Sequence, residues 1–309
     1  IFRIAPDIAM GSRCAQRHTS GFPGAHGTKL RQLAALISNI MQRYFLKRLR
    51  RKLLWVTLLV LVWLLCSGEA MASPLAKRVS AFPDWSDKPP VQPSEGDLVY
   101  PAWMDGAWKM TSTLKEMAAP VAPEVITPGF EGNRQFLDVP IEADIRFQKA
   151  RVAQGKFLNR PLKNSEGVVS DRAFNGLSLA RAYLGDDWVE AVKVDPDNPN
   201  RQITFLKDNQ QLVSTVTGRA TERPDSDTFI TTEVFQQFFR GGRPTIYLNE
   251  VENTTAYHLE QDHIVADQIT AVYLSPQDPD YFKAIDRPVA LYRYDLELYS
   301  TSDNPLKTR

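Results

Sequence analysis

From residue 107 onward, short β-branched and aromatic runs recur between clusters of turn-forming residues, at Ala107–Leu114, Ile141–Val152, Trp188–Val194, Gln202–Lys207, Gln211–Arg219, Thr228–Phe239, Thr245–Leu259, Ile264–Ser275 and Val289–Tyr299. The last run alternates most cleanly. Ala290, Tyr292, Tyr294, Leu296 and Leu298 share one face, with Arg293, Asp295 and Glu297 opposite. Lys207-Asp208-Asn209-Gln210 and Glu260-Gln261-Asp262-His263 predict tight hairpin loops. In Asp195–Asn200 two prolines lack the N–H that a ladder needs. One segment prefers helix: Asp171 can cap it, Phe174, Leu177 and Ala180/Arg181 fall on one side, and Gly185 can end it. The whole predicts a mainly β fold: a single antiparallel up-and-down β-barrel of about nine to ten strands with one short helix, closure removing the exposed edges. Thr228–Phe239 is mixed on both faces, as a barrel with a partly polar lumen would produce, and equally a small sandwich with one wet face.

Ahead of this domain, 101–309, the pattern changes. Arg43, Lys47, Arg48, Arg50, Arg51 and Lys52 precede 14 uncharged residues, Leu53–Cys66, and Ala70-Met71-Ala72 follows. Basic, apolar and small residues in that order predict a secretory signal peptide over 41–72, cleaved after Ala72. The apolar run falls short of the roughly 20 residues that span a bilayer. Arg50-Arg51 also fits a twin-arginine export signal, whereas Cys66 follows leucines too large for a lipoprotein site. Residues 1–40 read as an over-extended, disordered start with Met41 as the initiator; an amphipathic transit segment drawing on Arg13, Arg17, Lys29 and Arg31 is the rival. Residues 73–100, with five prolines, predict an extended lead whose Phe82 and Trp85 dock on the domain or on a partner.

Charge divides at the same boundary. The chain carries a formal +1, but residues 1–72 hold +9 and the remaining 237 hold −8. An acidic domain repels phosphate, so nucleic acid is excluded as a partner. Both cysteines, Cys14 and Cys66, lie upstream of the cleavage site, which leaves the mature domain without a disulfide, thiolate metal site or cysteine nucleophile.

Gly106-Ala107-Trp108, preceded by Trp103, resembles the Gly-x-Trp start of lipocalin-like (calycin) barrels. The resemblance implies a Trp108 that closes the barrel base, with Arg293 as its partner from the last strand. A second resemblance covers most of the mature chain. Pro101-Ala102-Trp103, Thr127-Pro128-Gly129-Phe130, Asp171–Gly176, Val194–Gln202, Leu212–Gly218, Tyr247–Glu252, Tyr273–Phe282 and Arg287–Leu298 are together similar to an uncharacterised lumenal domain family of cyanobacteria and plastids. That family implies export to the periplasm or thylakoid lumen and no particular reaction.

Catalytic constellations are missing from the sequence. Gly-x-Ser-x-Gly, His-Glu-x-x-His, Gly-x-Gly-x-x-Gly and Walker loops do not occur, and the mature chain has two histidines, His258 and His263, at an offset that matches no metal motif. Asp195-x-Asp197-Asn198 lacks the glycine and closing glutamate of a calcium loop. Glu250 and Glu252, two apart on one strand, read as a solvated face. No metal is implied, the cofactor is left open, and the reading leans away from an enzyme. Binding fits better. Arg134, Phe136, Arg146, Arg172, Phe174, Asn175 and Tyr294 are the candidate residues, basic groups holding an anionic head while apolar ones enclose a tail. The expectation is an exported barrel that binds a small amphipathic or hydrophobic ligand such as a lipid, pigment or isoprenoid. The alternative is an accessory or assembly protein of a photosynthetic membrane complex, the mature form not spanning the membrane.

Overall fold

The computed structural model describes residues 41, 43, 45–61, 73–153, 164–241 and 247–301. Two compact units divide the chain, Ile1–Met71 and Ala72–Arg309. In the first, residues 45–61 are helical and exposed. Cys14, Cys66, residues 1–40 and the expected cleavage site lie outside the described residues. Among the described residues no helix is long and apolar enough to cross a membrane.

The second unit is mainly β. Its strands are β1 (Gln92–Pro93), β2 (Gly106–Ala118), β3 (Pro140–Ala153), β4 (Asn164–Ser170), β5 (Val189–Asp195), β6 (Asn198–Leu206), β7 (Gln210–Glu222), β8 (Thr228–Arg240), β9 (Tyr247–Leu259), β10 (His263–Leu274) and β11 (Ala290–Ser300). Ten of them form one curled antiparallel sheet, a half-barrel, in the order β4-β3-β2-β11-β10-β9-β8-β7-β6-β5. Each of the nine runs expected from the sequence coincides with a strand of this sheet, Thr245 and Ile246 of the seventh run lying outside the described residues. The tenth, β4, carries Asn164, Ser165 and Gly167, a loop-like composition that pairing with β3 overrides.

Local chemistry explains the joints. Asp208 and Asn209 both adopt positive φ (58° and 55°) between β6 and β7, as a type I′ hairpin requires. The Glu260 N–H donates to the His263 carbonyl at 2.9 Å and closes the β9–β10 turn. Between β5 and β6 the register shifts at Val194/Asp195, so that Pro199 sits in the irregular stretch where no ladder bond is asked of it. Helix α1 (Pro74–Ser80) starts the lead, Pro74 supplying a preset φ at the first helical position and Ser73 Oγ accepting from the Ala76 N–H. Helix α2 (Arg172–Leu184) has the expected caps: Asp171 Oδ1 accepts from the Phe174 N–H at 3.2 Å, and Gly185 ends it at φ +90°. This helix joins β4 to β5, the two ends of the sheet, and packs on β3, β5 and β6. It thereby spans the side that the strand ladder leaves open.

The outer face of the sheet is covered by the lead. Leu75 packs on Ile230 and Ala256, while Trp85 packs on Ile269, Ala271, Tyr273 and Leu291. Each fully buried side chain of this size contributes about 1.5–3 kcal/mol. Farther along, β1 pairs with Arg219 and Gly218 of β7. A Cβ on Gly218 would stand 2.5 Å from Val91 Cγ2, so the approach needs glycine there. The cover explains why the first half of β8 has no solvent-exposed face: residues 228–234 are buried on both sides, inward by the curl and outward by the lead.

Candidate functional site

Reading the inward positions across the register shows how the interior is graded. Leu298, Ile264 and Leu259 lie opposite one another on β11, β10 and β9, at the end of the sheet where Trp108 is buried. The next row is Leu296, Ala266, Tyr257 and Phe229. Then come two polar rows: Tyr294, Gln268, Thr255, Thr231 and Thr221, followed by Tyr292, Thr270, Asn253, Glu233 and Arg219. Period-two alternation places each row on one face, and the register stacks the rows from apolar to polar.

Within this gradient lies a cavity of about 330 Å³, walled by β2, β3, β9, β10, β11 and α2. Met110, Ile145, Phe147 and Leu298 form its apolar part, and Ser112, Tyr183, Gln268 and Tyr294 supply polar groups. Ser112 Oγ and Tyr183 Oη bond to each other at 3.1 Å, which ties α2 to β2 across the wall. Burial raises the Tyr294 phenol well above its ordinary range, and burial also pushes Tyr257 up to about 12. Both phenols therefore stay protonated at neutral pH. Among the described residues no charged side chain lines the cavity.

Charge inside the sheet is neutralised beside the cavity. Glu233 Oε1 accepts from Arg172 at 2.9 Å and from Arg219 at 2.7 Å and 2.9 Å. Burial acts to raise the Glu233 pKa, but the two guanidiniums outweigh it and hold it below the usual carboxylate range. Arg219 also donates to Asn200 and to the Gly96 carbonyl, and Asp97 lies 3.7 Å from Arg172.

The structure separates the seven candidate ligand residues. Tyr294 and Asn175 line the cavity. Asn175 is already engaged: its Oδ1 accepts from the Arg146 N–H, and its Nδ2 donates to the Arg146 carbonyl and to Ser170. It is a rivet between α2 and β3. Arg146 pairs with Asp171 and covers the Phe174 ring at 4.3 Å, at the surface. Arg134 is exposed and chelates Glu131, and Phe136 packs edge-on to Tyr183. Arg172 points to Glu233. The three arginines are thus each paired and not gathered around one pocket. Gln268, Tyr183 and Ser112 were not singled out from the sequence, although Gln268 interrupts the inward series Ile264, Ala266 with a polar group.

Gly106, at φ +136°, takes a conformation other residues rarely adopt, and Trp108 two positions on is buried with Nε1 donating to the Met104 carbonyl at 2.9 Å. Arg293 does not meet it. Trp108 lies opposite Ser300, while Arg293 is on the outer face, bonded to Asp267 and Glu116 and 5.6 Å over the Phe82 ring. The alternation of β11 dictates this, since Arg293 is out of phase with the inward Tyr294, Leu296 and Leu298.

Glu252 overturns its reading as a solvated carboxylate. Its side chain is 0% exposed, on the outer face beneath the lead. Arg78 grips it in bidentate fashion, Nε to Oε1 at 2.6 Å and Nη2 to Oε2 at 2.8 Å. Tyr273 and Thr254 donate to it as well, and Trp85 covers the guanidinium at 3.8 Å. Glu250 pairs with Lys88. His258 bonds Thr228 Oγ1, and His263 stacks on Tyr299 beside Asp262. Among the described residues no group of three or more potential ligands converges to hold a metal.

Comparison with known proteins gives one family match. A family model, the domain of unknown function DUF6816, matches residues 93–302, which takes in the whole curled sheet and α2 but not α1, Arg78 or Trp85. No curated protein matches the chain, and no solved structure does.

Proposed function

The chain belongs to the DUF6816 family, and from that premise we propose that its half-barrel binds a small, amphipathic or hydrophobic ligand without turning it over. One observation carries this reading: the cavity of about 330 Å³ with apolar residues at one end and hydroxyl and amide groups at the other. Its volume is at the small end of ligand pockets, and its mostly apolar lining with a few polar groups is what such pockets use to orient a guest. The compartment proposed is the periplasm or thylakoid lumen, supported by the basic, apolar and small-residue order of 41–72. Native mass spectrometry of protein purified from its own host, followed by organic extraction, tests the reading. A co-purifying molecule released by solvent is expected. Protein that leaves the host empty, and that takes up no apolar probe, overturns it.

A second reading, association with a photosynthetic membrane complex, is favoured by Phe282, 81% exposed, with Ile285 and Ile126 also exposed where the β2–β3 and β10–β11 connections pack together. Salt-washed membrane fractions from the host should then retain the wild type and lose Phe282→Ser. A protein found only in the soluble fraction removes this reading.

A further inference from the structure

Two donors in the cavity have no acceptor among the described residues, and they are neighbours across the ladder. Gln268 on β10 and Tyr294 on β11 are directly paired across the ladder, which sets their Cβ atoms about 5 Å apart. Both line the cavity. Gln268 Oε1 accepts from Thr255 at 3.3 Å, so the side chain is held by its oxygen and its Nε2 donors have no partner among the described residues. Tyr294 Oη has none there either, whereas the neighbouring Tyr183 hydroxyl is engaged with Ser112 and Asn175 is fully bonded. Burial keeps the Tyr294 phenol protonated, hence a donor.

Resting on the ligand-binding reading, we propose that these two side chains form the head-group clamp, and that the ligand is uncharged and enters with a carbonyl oxygen foremost. A ketone, quinone or ester carbonyl has two lone pairs and takes one hydrogen bond from Gln268 Nε2 and one from Tyr294 Oη. The apolar body then lies along Met110, Ile145, Phe147 and Leu298 toward the Trp108 end. A carboxylate is disfavoured. Among the described residues no charged side chain lines the cavity, the nearby Arg172 and Arg219 are committed to Glu233, and burying an unpaired anion is costly. Selection therefore comes from leaving a donor pair unsatisfied when the carbonyl is absent.

The test is isothermal titration of the full chain with three naphthalenes of similar shape: 2-acetylnaphthalene, 2-ethylnaphthalene and 2-naphthoate. The ketone is expected to bind about tenfold more tightly than the hydrocarbon, and the carboxylate more weakly than the ketone. Tyr294→Phe and Gln268→Leu should each weaken the ketone by about threefold to tenfold and leave the hydrocarbon within about twofold. Thermal melts establish that each variant is folded, and Tyr294→Phe, which removes one oxygen, keeps the test readable if Gln268→Leu does not fold. Equal affinity for ketone and hydrocarbon, or a ketone affinity unmoved by folded Tyr294→Phe, overturns the clamp while the cavity stands. Tightest binding of naphthoate overturns the uncharged head. Failure of all three to bind removes the cavity reading and the clamp with it.

Discussion

Two buried glutamates, one on each face of the same sheet, are held in opposite ways. Glu252, on the outer face, is sealed by a single arginine that arrives from another part of the chain, and nothing around it is open. Glu233, on the inner face, is shared by two arginines from α2 and β7, and the aromatic and polar rows beside it lead into the cavity. The outer cluster is a fastener: Arg78, Trp85, Tyr273 and Glu252 lock the lead onto the sheet. The inner cluster balances charge next to a hollow and leaves the hollow neutral. A buried ion pair thus marks an attachment in one place and borders an open cavity in the other. What distinguishes them is whether the surroundings are filled.

The largest effect should come from breaking the fastener. Arg78→Met strands the Glu252 carboxylate in an enclosed site and is expected to cost about 3–5 kcal/mol in urea unfolding, because the lost partner leaves a charge uncompensated. The double variant Arg78→Met/Glu252→Gln should recover a good part of that loss; no recovery would show that the arginine acts through its packing alone. Trp85→Ala is next, at about 3 kcal/mol, with the lead becoming sensitive to limited proteolysis before the sheet does. Simultaneous cleavage of lead and sheet would break the distinction between fastener and framework.

On the inner face Glu233→Gln should cost less, about 2 kcal/mol, since Arg219 keeps Asn200 and the Gly96 carbonyl and Arg172 keeps Asp97. Its signature is in pH. The Glu233 pKa is depressed in the folded state, so its contribution is present above the ordinary carboxylate range and is lost as pH falls through the folded-state value. Acid unfolding curves of Glu233→Gln should therefore be shallower below about pH 4.5 than those of the wild type. Parallel curves would remove the carboxylate from the pH response. The smallest effect is that of Tyr183→Phe, about 1 kcal/mol from the lost bond to Ser112, with the same fold by circular dichroism.

Local patterning was enough to place nine of the ten strands of the curled sheet, the β6–β7 and β9–β10 hairpins and helix α2 with both of its caps. A two-residue alternation, an Asp-Asn turn and an Asp cap act over a few residues and carry their own geometry. The weaker signals failed where pairing partners decided the outcome. Asn164–Ser170 became a strand because β3 offered it a ladder, whereas the outward place of Arg293, against the partnership that the Gly-x-Trp resemblance implied, follows from the alternation of β11 itself. Of the candidate site residues, Tyr294 was legible from its inward alternation; the arginines were not, because no sequence pattern says which carboxylate each will meet.

The sequence by itself determined the mainly β character, the order of elements, the helix that bridges the two ends of the sheet, and the contrast between a basic N-terminal segment and an acidic domain. Only the tertiary structure decided which polar residues are sealed and which face a cavity. Glu250 and Glu252 look alike in the chain, yet one pairs at the half-exposed edge of the lead and the other is buried under it. Gln268 looks like any surface glutamine until β9 and β11 place Thr255 and Tyr294 beside it. The reason is physical: alternation fixes the side of the sheet to which a residue points, but its solvation depends on what covers that side, and the cover comes from residues far away along the chain.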